Sequence, residues 1–293
     1  MSLVVLNILV VLLGLCLGSF INVVIYRLPR AEDGFSVSRP RRSICPNCQA
    51  SIAWYDNLPL LSYAVLGGAC RHCKTRISWR YPLVELMAGL LTLAVFHHTG
   101  LLTYYQAWMS PAVWVRTLAG LYFVLGLLAI TFIDLDEMII PDVITLPGMV
   151  LGLAAAALAP DPGLIGRLAG IKLFQMGVHD LRLLSIIGSV GGLILGGGLI
   201  WIIFQAYYLV RREEGIGGGD MTLLAMIGAN LGWRSVLVTI FLGSVIAMLA
   251  AIGMAVRQGE FRLTMKLPFG PFLSLAALIF MFFGEALLRW YLG

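Results

Sequence analysis

The chain predicts an all-α polytopic membrane protein of about eight transmembrane helices, with a small cytoplasmic insert between helices 1 and 2. Three observations carry this. The 293 residues are 60% hydrophobic and 12% charged, with a mean hydropathy of +0.92, whereas a soluble domain is about a quarter charged. Apolar runs recur at 3–25, 83–99, 113–133, 142–159, 183–209, 235–256 and 270–291, and about 20 residues cross a hydrocarbon core of about 30 Å. Between the first two runs the composition turns polar and carries four of the five cysteines.

The first run has no basic residue ahead of it and meets Arg27 only at its end, the pattern of a signal anchor rather than a cleaved leader. Nine of the twenty Lys and Arg residues (Arg27, Arg30, Arg39, Arg41, Arg42, Arg71, Lys74, Arg76, Arg80) fall before the second run. The positive-inside rule places that loop in the cytoplasm and the N-terminus outward. Counting onward, Arg211, Arg212, Arg257, Arg262 and Lys266 are also inside, making fourteen basic residues against six elsewhere, with both termini outward. The net charge of +5 thus sits beside helices, where it meets anionic membrane lipid, and nucleic acid is not an expected partner.

Arg27 to Tyr81 divides the chain into a first helix at 1–26, a cytoplasmic module at 27–81 and a membrane-embedded remainder at 82–293. The module holds CPNC (Cys45, Cys48) and CRHC (Cys70, Cys73), with twenty-one residues between the pairs. That spacing fits a tetrahedral four-thiolate zinc site, each pair making one tight knuckle. Two disulfides are the other reading, but a cytoplasmic loop is reducing and so short an insert needs a staple to fold. His72 is a bystander to a shell already closed, and Cys16 is expected to be a packing residue.

The second run carries Glu85 near its cytoplasmic end. A carboxylate inside a membrane run is either functional or simply stabilised by the helix dipole and the headgroup level. His97 and His98 are adjacent and do not share a helix face, so the aromatic stretch after them reads as an outer loop. The third run ends at IDLDEMIIPD. Asp134 and Asp136 point about 200° apart on a helix, so only one faces a given partner, and Asp134 is the deeper. Pro141 stops the helix and Asp142 is placed to cap the next.

After an outer loop at 160–182, a fifth run returns through glycines between Gly188 and Gly198 that permit close helix packing. It ends at RREE, and GIGGGD follows. No Walker lysine or βαβ unit accompanies these glycines, so they do not read as a nucleotide cradle. They allow close backbone approach, and unpaired backbone at Gly217 to Gly219 is expected to hold an extended peptide. Asp220 then opens the short run Met221 to Trp233, which either spans or is re-entrant. KLPFGPF before the last run is expected to shape a cavity wall near the aspartates.

Two aspartates within hydrogen-bond reach share one proton over a useful pH range. The ionised member can deprotonate water while the protonated one polarises a carbonyl, the division of labour of aspartic proteases. Serine and metal mechanisms fit less well, because no serine–histidine–aspartate context is present and the zinc shell is closed.

GSFINVVIYRLPR at 18–30, the cysteine pairs, WRYPLVE at 79–85, IDLDEMIIPDVITLP at 133–147, GGGD at 217–220, GANLGW at 228–233 and PFGPFLS at 268–274 together resemble the bacterial type IV prepilin peptidases, membrane aspartyl proteases of the GxGD class. The resemblance implies cleavage of a short basic leader from prepilin or pseudopilin precursors of pili or type II secretion systems. Cleavage would follow a glycine at the cytoplasmic face of the inner membrane. In many members it also implies N-methylation of the new terminus with S-adenosylmethionine. It makes Asp134 and Asp220 the catalytic pair and Gly217 and Gly219 their frame; Asp136, Asp142, Glu85 and Lys266 are candidate supports from their positions in the chain. One departure is Thr222, where relatives commonly carry lysine; Lys266 is the candidate substitute for that charge. A transporter or channel component using intramembrane aspartates is the alternative reading, although no internal repeat is visible.

Overall fold

The computed structural model describes residues 3–30, 36–38, 43–103, 105–160, 180–211, 218–258 and 267–292. Its helices are α1 (Leu3–Arg27), α2 (Leu61–Val65), α3 (Arg80–His98), α4 (Pro111–Glu137), α5 (Asp142–Leu158), α6 (Leu181–Arg211), α7 (Gly218–Leu231), α8 (Trp233–Gln258) and α9 (Gly270–Leu292). Among the described residues, strand pairing is limited to two isolated bridges. Among the described residues, six helices (α1, α3, α4, α6, α8 and α9) are long and apolar enough to cross a membrane. α5 is a shorter apolar helix of 17 residues and α7 has 14, or about 25 Å and 21 Å at about 1.5 Å per residue.

α4 is the central helix. Proline at its first position is preorganised for a helix start, and an unbroken buried stretch from Phe123 to Ile130 fills the middle of the bundle. Met138 ends it in the left-handed conformation (φ 54°), its N–H returning to the Asp134 carbonyl at 3.0 Å. α5 starts four residues later. Pro141 occupies its cap position and Asp142 is its first helical residue, one place later than a cap. Pro141 holds the extended backbone of a cap but has no side-chain acceptor, so no side-chain cap bond forms.

Small residues set the two closest helix contacts. α1 lies on α3 through Gly14 and Gly18, where an added Cβ would stand 2.7 Å from Thr92 and 2.7 Å from the Glu85 Cα. α6 lies on α7 through Gly192 and Gly196, where a Cβ would enter the backbone of Gly228 and Leu224. The Ser189 hydroxyl donates to the Ala229 carbonyl across the same interface. α7 is therefore buried nearly all round, and a single residue, Gly232 (φ 82°), separates it from α8. Gly218 and Gly219 are already helical, so the extended backbone expected for peptide pairing is absent there; Gly217 lies outside the described residues, as does Lys266.

Candidate active site

At the end of α4, Asp134 is 5% exposed. The N–H of Gly270, the first residue of α9, donates to its Oδ2 at 2.9 Å. A Cβ on Gly270 would come within 2.6 Å of that oxygen, so a glycine allows the backbone donor to approach. Ile140, in the link between α4 and α5, wedges the junction. A Cβ at Gly219 would meet the Ile140 Cβ at 2.7 Å, and one at Gly270 would meet the Ile140 Cδ1 at 3.2 Å. The starts of α7 and α9 are thereby drawn to one point.

Asp220 is the third residue of α7 and partly buried. Gly219, beside Asp220, and Gly270, the donor to Asp134, both pack on Ile140, so the two carboxylates belong to one helix junction. Both lie beside helix N-termini, where unpaired N–H groups and the dipole favour negative charge. Burial opposes holding two charges together, and the pair is thus suited to retain one proton. The Thr222 hydroxyl donates to the Gly219 carbonyl at 3.1 Å.

The other carboxylates of this stretch turn elsewhere. Asp136 pairs with Arg80 of α3 at 2.5 Å, and the same guanidinium donates to the Phe132 carbonyl at 3.3 Å and lies over the Phe132 ring. Glu137 pairs with Arg30 at 2.8 Å. Asp142 is exposed and accepts from the Thr145 hydroxyl at 3.4 Å. Sequence reasoning gave neither the Gly270 donor nor the Ile140 wedge its role: KLPFGPF pointed only to a cavity wall near the aspartates, and Ile140 lies unmarked within IDLDEMIIPD.

The cysteine pairs form one cluster. Two copies of the same knuckle are present, 25 positions apart: Cys45 N–H to Ala50 and Gln49 N–H to Cys45 in one, Cys70 N–H to Thr75 and Lys74 N–H to Cys70 in the other. Gln49 and Lys74 both take φ 58°, and bridges Ile44–Ser51 and Ala69–Arg76 close the two turns. The four Sγ atoms lie within 4.8 Å of one another, with Cys45 and Cys73 3.8 Å apart. Tetrahedral bonds of about 2.3 Å set sulfurs about 3.8 Å apart, so the cluster fits a metal ion. The Thr75 hydroxyl and the Asn47 amide beside Cys73 pull its thiol down to about 5, favouring the thiolate that a metal takes. His72 is outside the cluster. Cys16 is exposed on the α1 surface rather than packed, because the small residues Gly14 and Gly18 form the face that meets α3.

Glu85 ties this module to the bundle. Its Oε2 accepts the Leu60 N–H at 2.9 Å. Asn22 of α1 donates to the Tyr81 carbonyl at 3.1 Å in the same region.

Residues 12–99 match the family described as bacterial peptidase A24 N-terminal domain, and residues 121–252 match the type IV leader peptidase family. Similar proteins include the prepilin leader peptidase/N-methyltransferase of Aeromonas hydrophila, 36% identical over 97% of this chain and 93% of its own. Those of the same name from Pseudomonas aeruginosa (34%, covering 96% and 92%) and Neisseria gonorrhoeae (33%, covering 91% and 87%) are comparably near. No solved structure matches the chain. With both family regions present and identity running almost end to end, the chain belongs to the type IV leader peptidase family.

Proposed function

We propose that this protein is an inner-membrane aspartic endopeptidase that removes the basic leader of type IV prepilin or pseudopilin precursors after glycine, and then N-methylates the exposed terminus. Asp134 and Asp220 are the catalytic pair, Gly217 and Gly219 frame Asp220, and Gly270 fixes one oxygen of Asp134. The reading rests on one observation above all: a buried aspartate held by a backbone donor, at a junction where the start of the Asp220 helix packs on the same isoleucine.

The ionised member of the pair takes a proton from a water as that water attacks the scissile carbonyl. The protonated member donates to the carbonyl oxygen, and the proton gained by the first then passes to the leaving amine. A prepilin leader is basic and its following helix apolar, so the leader stays cytoplasmic and the scissile bond sits at the interface. The dyad and the cysteine module face the cytoplasm in this reading, with the N-terminus outward. Cys45, Cys48, Cys70 and Cys73 hold a structural zinc with no open position, which stabilises the module but takes no part in hydrolysis. S-adenosylmethionine, when bound, supplies the methyl group.

Purified protein incubated with membrane-inserted prepilin, with and without S-adenosylmethionine, tests both activities by intact mass beside Asp220→Asn. Cleavage after glycine that disappears in the variant, with a methyl mass added only when the donor is present, is the expected result. No cleavage by folded, metal-loaded protein would overturn the protease reading.

A further inference from the structure

Residues 54–66 of the cysteine module have two unlike sides. The turn Trp54–Asn57 and the short helix α2 are joined by the Ser62 hydroxyl, which donates to the Tyr55 carbonyl at 3.0 Å. Ser62, Tyr63 and Leu66 face inward, into a cavity of about 420 Å³ between the module and the ends of α1 and α3. Leu61 and Val65, one helical turn apart, are not in its wall and are 58% and 71% exposed. Trp54 is 78% exposed and Tyr55 51%, their rings meeting edge to face at 5.7 Å. Two aliphatic and two aromatic side chains are thus presented outward by one short element.

The element is also held at a defined level. The Leu60 N–H donates to Glu85 at 2.9 Å, with Leu60 at φ 60°. That conformation is strained for a side chain with a Cβ and persists where its surroundings impose it. Glu85 lies five positions past Arg80, the first residue of α3, or about 7 Å further along the helix. Arg80 pairs with Asp136 near the end of α4, so these charges mark where two membrane-length helices reach the surface. α2 is therefore tethered at the membrane surface and not above it.

We propose that the cysteine module is seated in the lipid surface, with Trp54, Tyr55, Leu61 and Val65 entering the leaflet at its end of the bundle. The occupant of this apolar face is phospholipid. An element lying in an interface buries its apolar side about 5–10 Å into the boundary between headgroups and acyl chains, which is the depth to which the Glu85 contact ties Leu60. Tryptophan and tyrosine favour that layer. Leu86 and Leu90 are exposed on α3, so lipid already covers the helix that carries Glu85. Lys74 and Arg76, exposed in the same module, supply positive charge for anionic headgroups. A prepilin helix is the poorer occupant, because the dyad joins α4, α7 and α9 whereas α2 is tied to α3. The seat is independent of which reaction the dyad performs.

Photocrosslinking of the full, metal-loaded chain tests the seat. Protein carrying Leu61→benzoylphenylalanine or Val65→benzoylphenylalanine is placed in vesicles of phosphatidylethanolamine and phosphatidylglycerol, illuminated and weighed by intact mass. Each variant is expected to gain the mass of one phospholipid. A dimer-mass adduct, an adduct to added prepilin, or no adduct at either position would overturn the seat. Limited proteolysis in the same vesicles gives a second readout, comparing the wild type with a double variant, Leu61→Glu and Val65→Glu. Carboxylates oppose entry into the leaflet, so the double variant should lose protection within residues 54–66 while keeping its metal content. Equal cleavage of the two proteins there would also overturn the seat.

Discussion

Gly270 and Asp134, 136 positions apart in the chain, are joined by a backbone N–H to carboxylate bond of 2.9 Å. This contact fixes the start of α9 against the end of α4. It also orients the more deeply buried of the two aspartates.

Gly270→Ala is expected to disturb that orientation, because the new Cβ would stand 2.6 Å from Oδ2. Displacement of a reacting group by about 1 Å can cost roughly 10²-fold in rate. Prepilin cleavage should fall by about that factor while circular dichroism retains the helical content. A wild-type rate would mean that Asp134 is not held in its working position by Gly270.

The roles of the three neighbouring aspartates separate by substitution. Asp134→Asn and Asp220→Asn should each lower cleavage by about 10²- to 10⁴-fold, the usual scale for a lost acid or base. Asp136→Asn and Arg80→Ala should resemble one another and remain mild, since their partly exposed pair is worth about 1 kcal/mol or less. Rates measured on one substrate would reverse the assignment if Asp136→Asn were the inactive variant.

Metal removal should act on the module first. A strong chelator, or Cys45→Ser, is expected to release zinc and open residues 43–78 to protease, because ligand binding and folding are coupled in such sites. The α1 to α3 contact through Gly14 and Gly18 does not involve the thiols and should persist. Elemental analysis and limited proteolysis followed by mass mapping check this; full protease resistance of the metal-free chain would contradict it.

Helix packing offers a matched pair of variants on α6. Gly192→Leu drives a side chain into the Gly228 backbone, whereas Gly198 has nothing within 4 Å of its added Cβ. The first should destabilise the protein by about 1–3 kcal/mol or more, the scale of overpacking, and the second should be nearly neutral. Thermal unfolding in detergent compares them. Equal effects would mean that α6 and α7 do not depend on this contact.

Much of this was legible in the chain. Apolar runs mark the long helices because a bilayer needs that length of apolar residues. The cysteine pairs announce their cluster because a tetrahedral site needs two local knuckles. Depth along the helix separates Asp134 from Asp136 in the sequence, and the structure adds what periodicity does not contain, the Arg80 partner that draws Asp136 away. Gly270 was hidden for the same reason: a backbone N–H carries no residue signature, and its acceptor is 136 positions distant. The cap on α5 was displaced by one residue, since Pro141 sets the extended backbone itself. Glu85 reads ambiguously in sequence because its partner, the Leu60 N–H, belongs to a loop with no periodic pattern.

The short helix α7 has a consequence for how the protein meets different membranes. It is walled by α5, α6, α8 and α9, and from Leu223 to Ala229 each of its residues is buried. Its length therefore does not have to match the lipid around it, and hydrophobic mismatch is borne by the outer helices. The depth of Asp220 is set by protein contacts rather than by acyl chains, so one dyad geometry can serve bilayers of differing thickness.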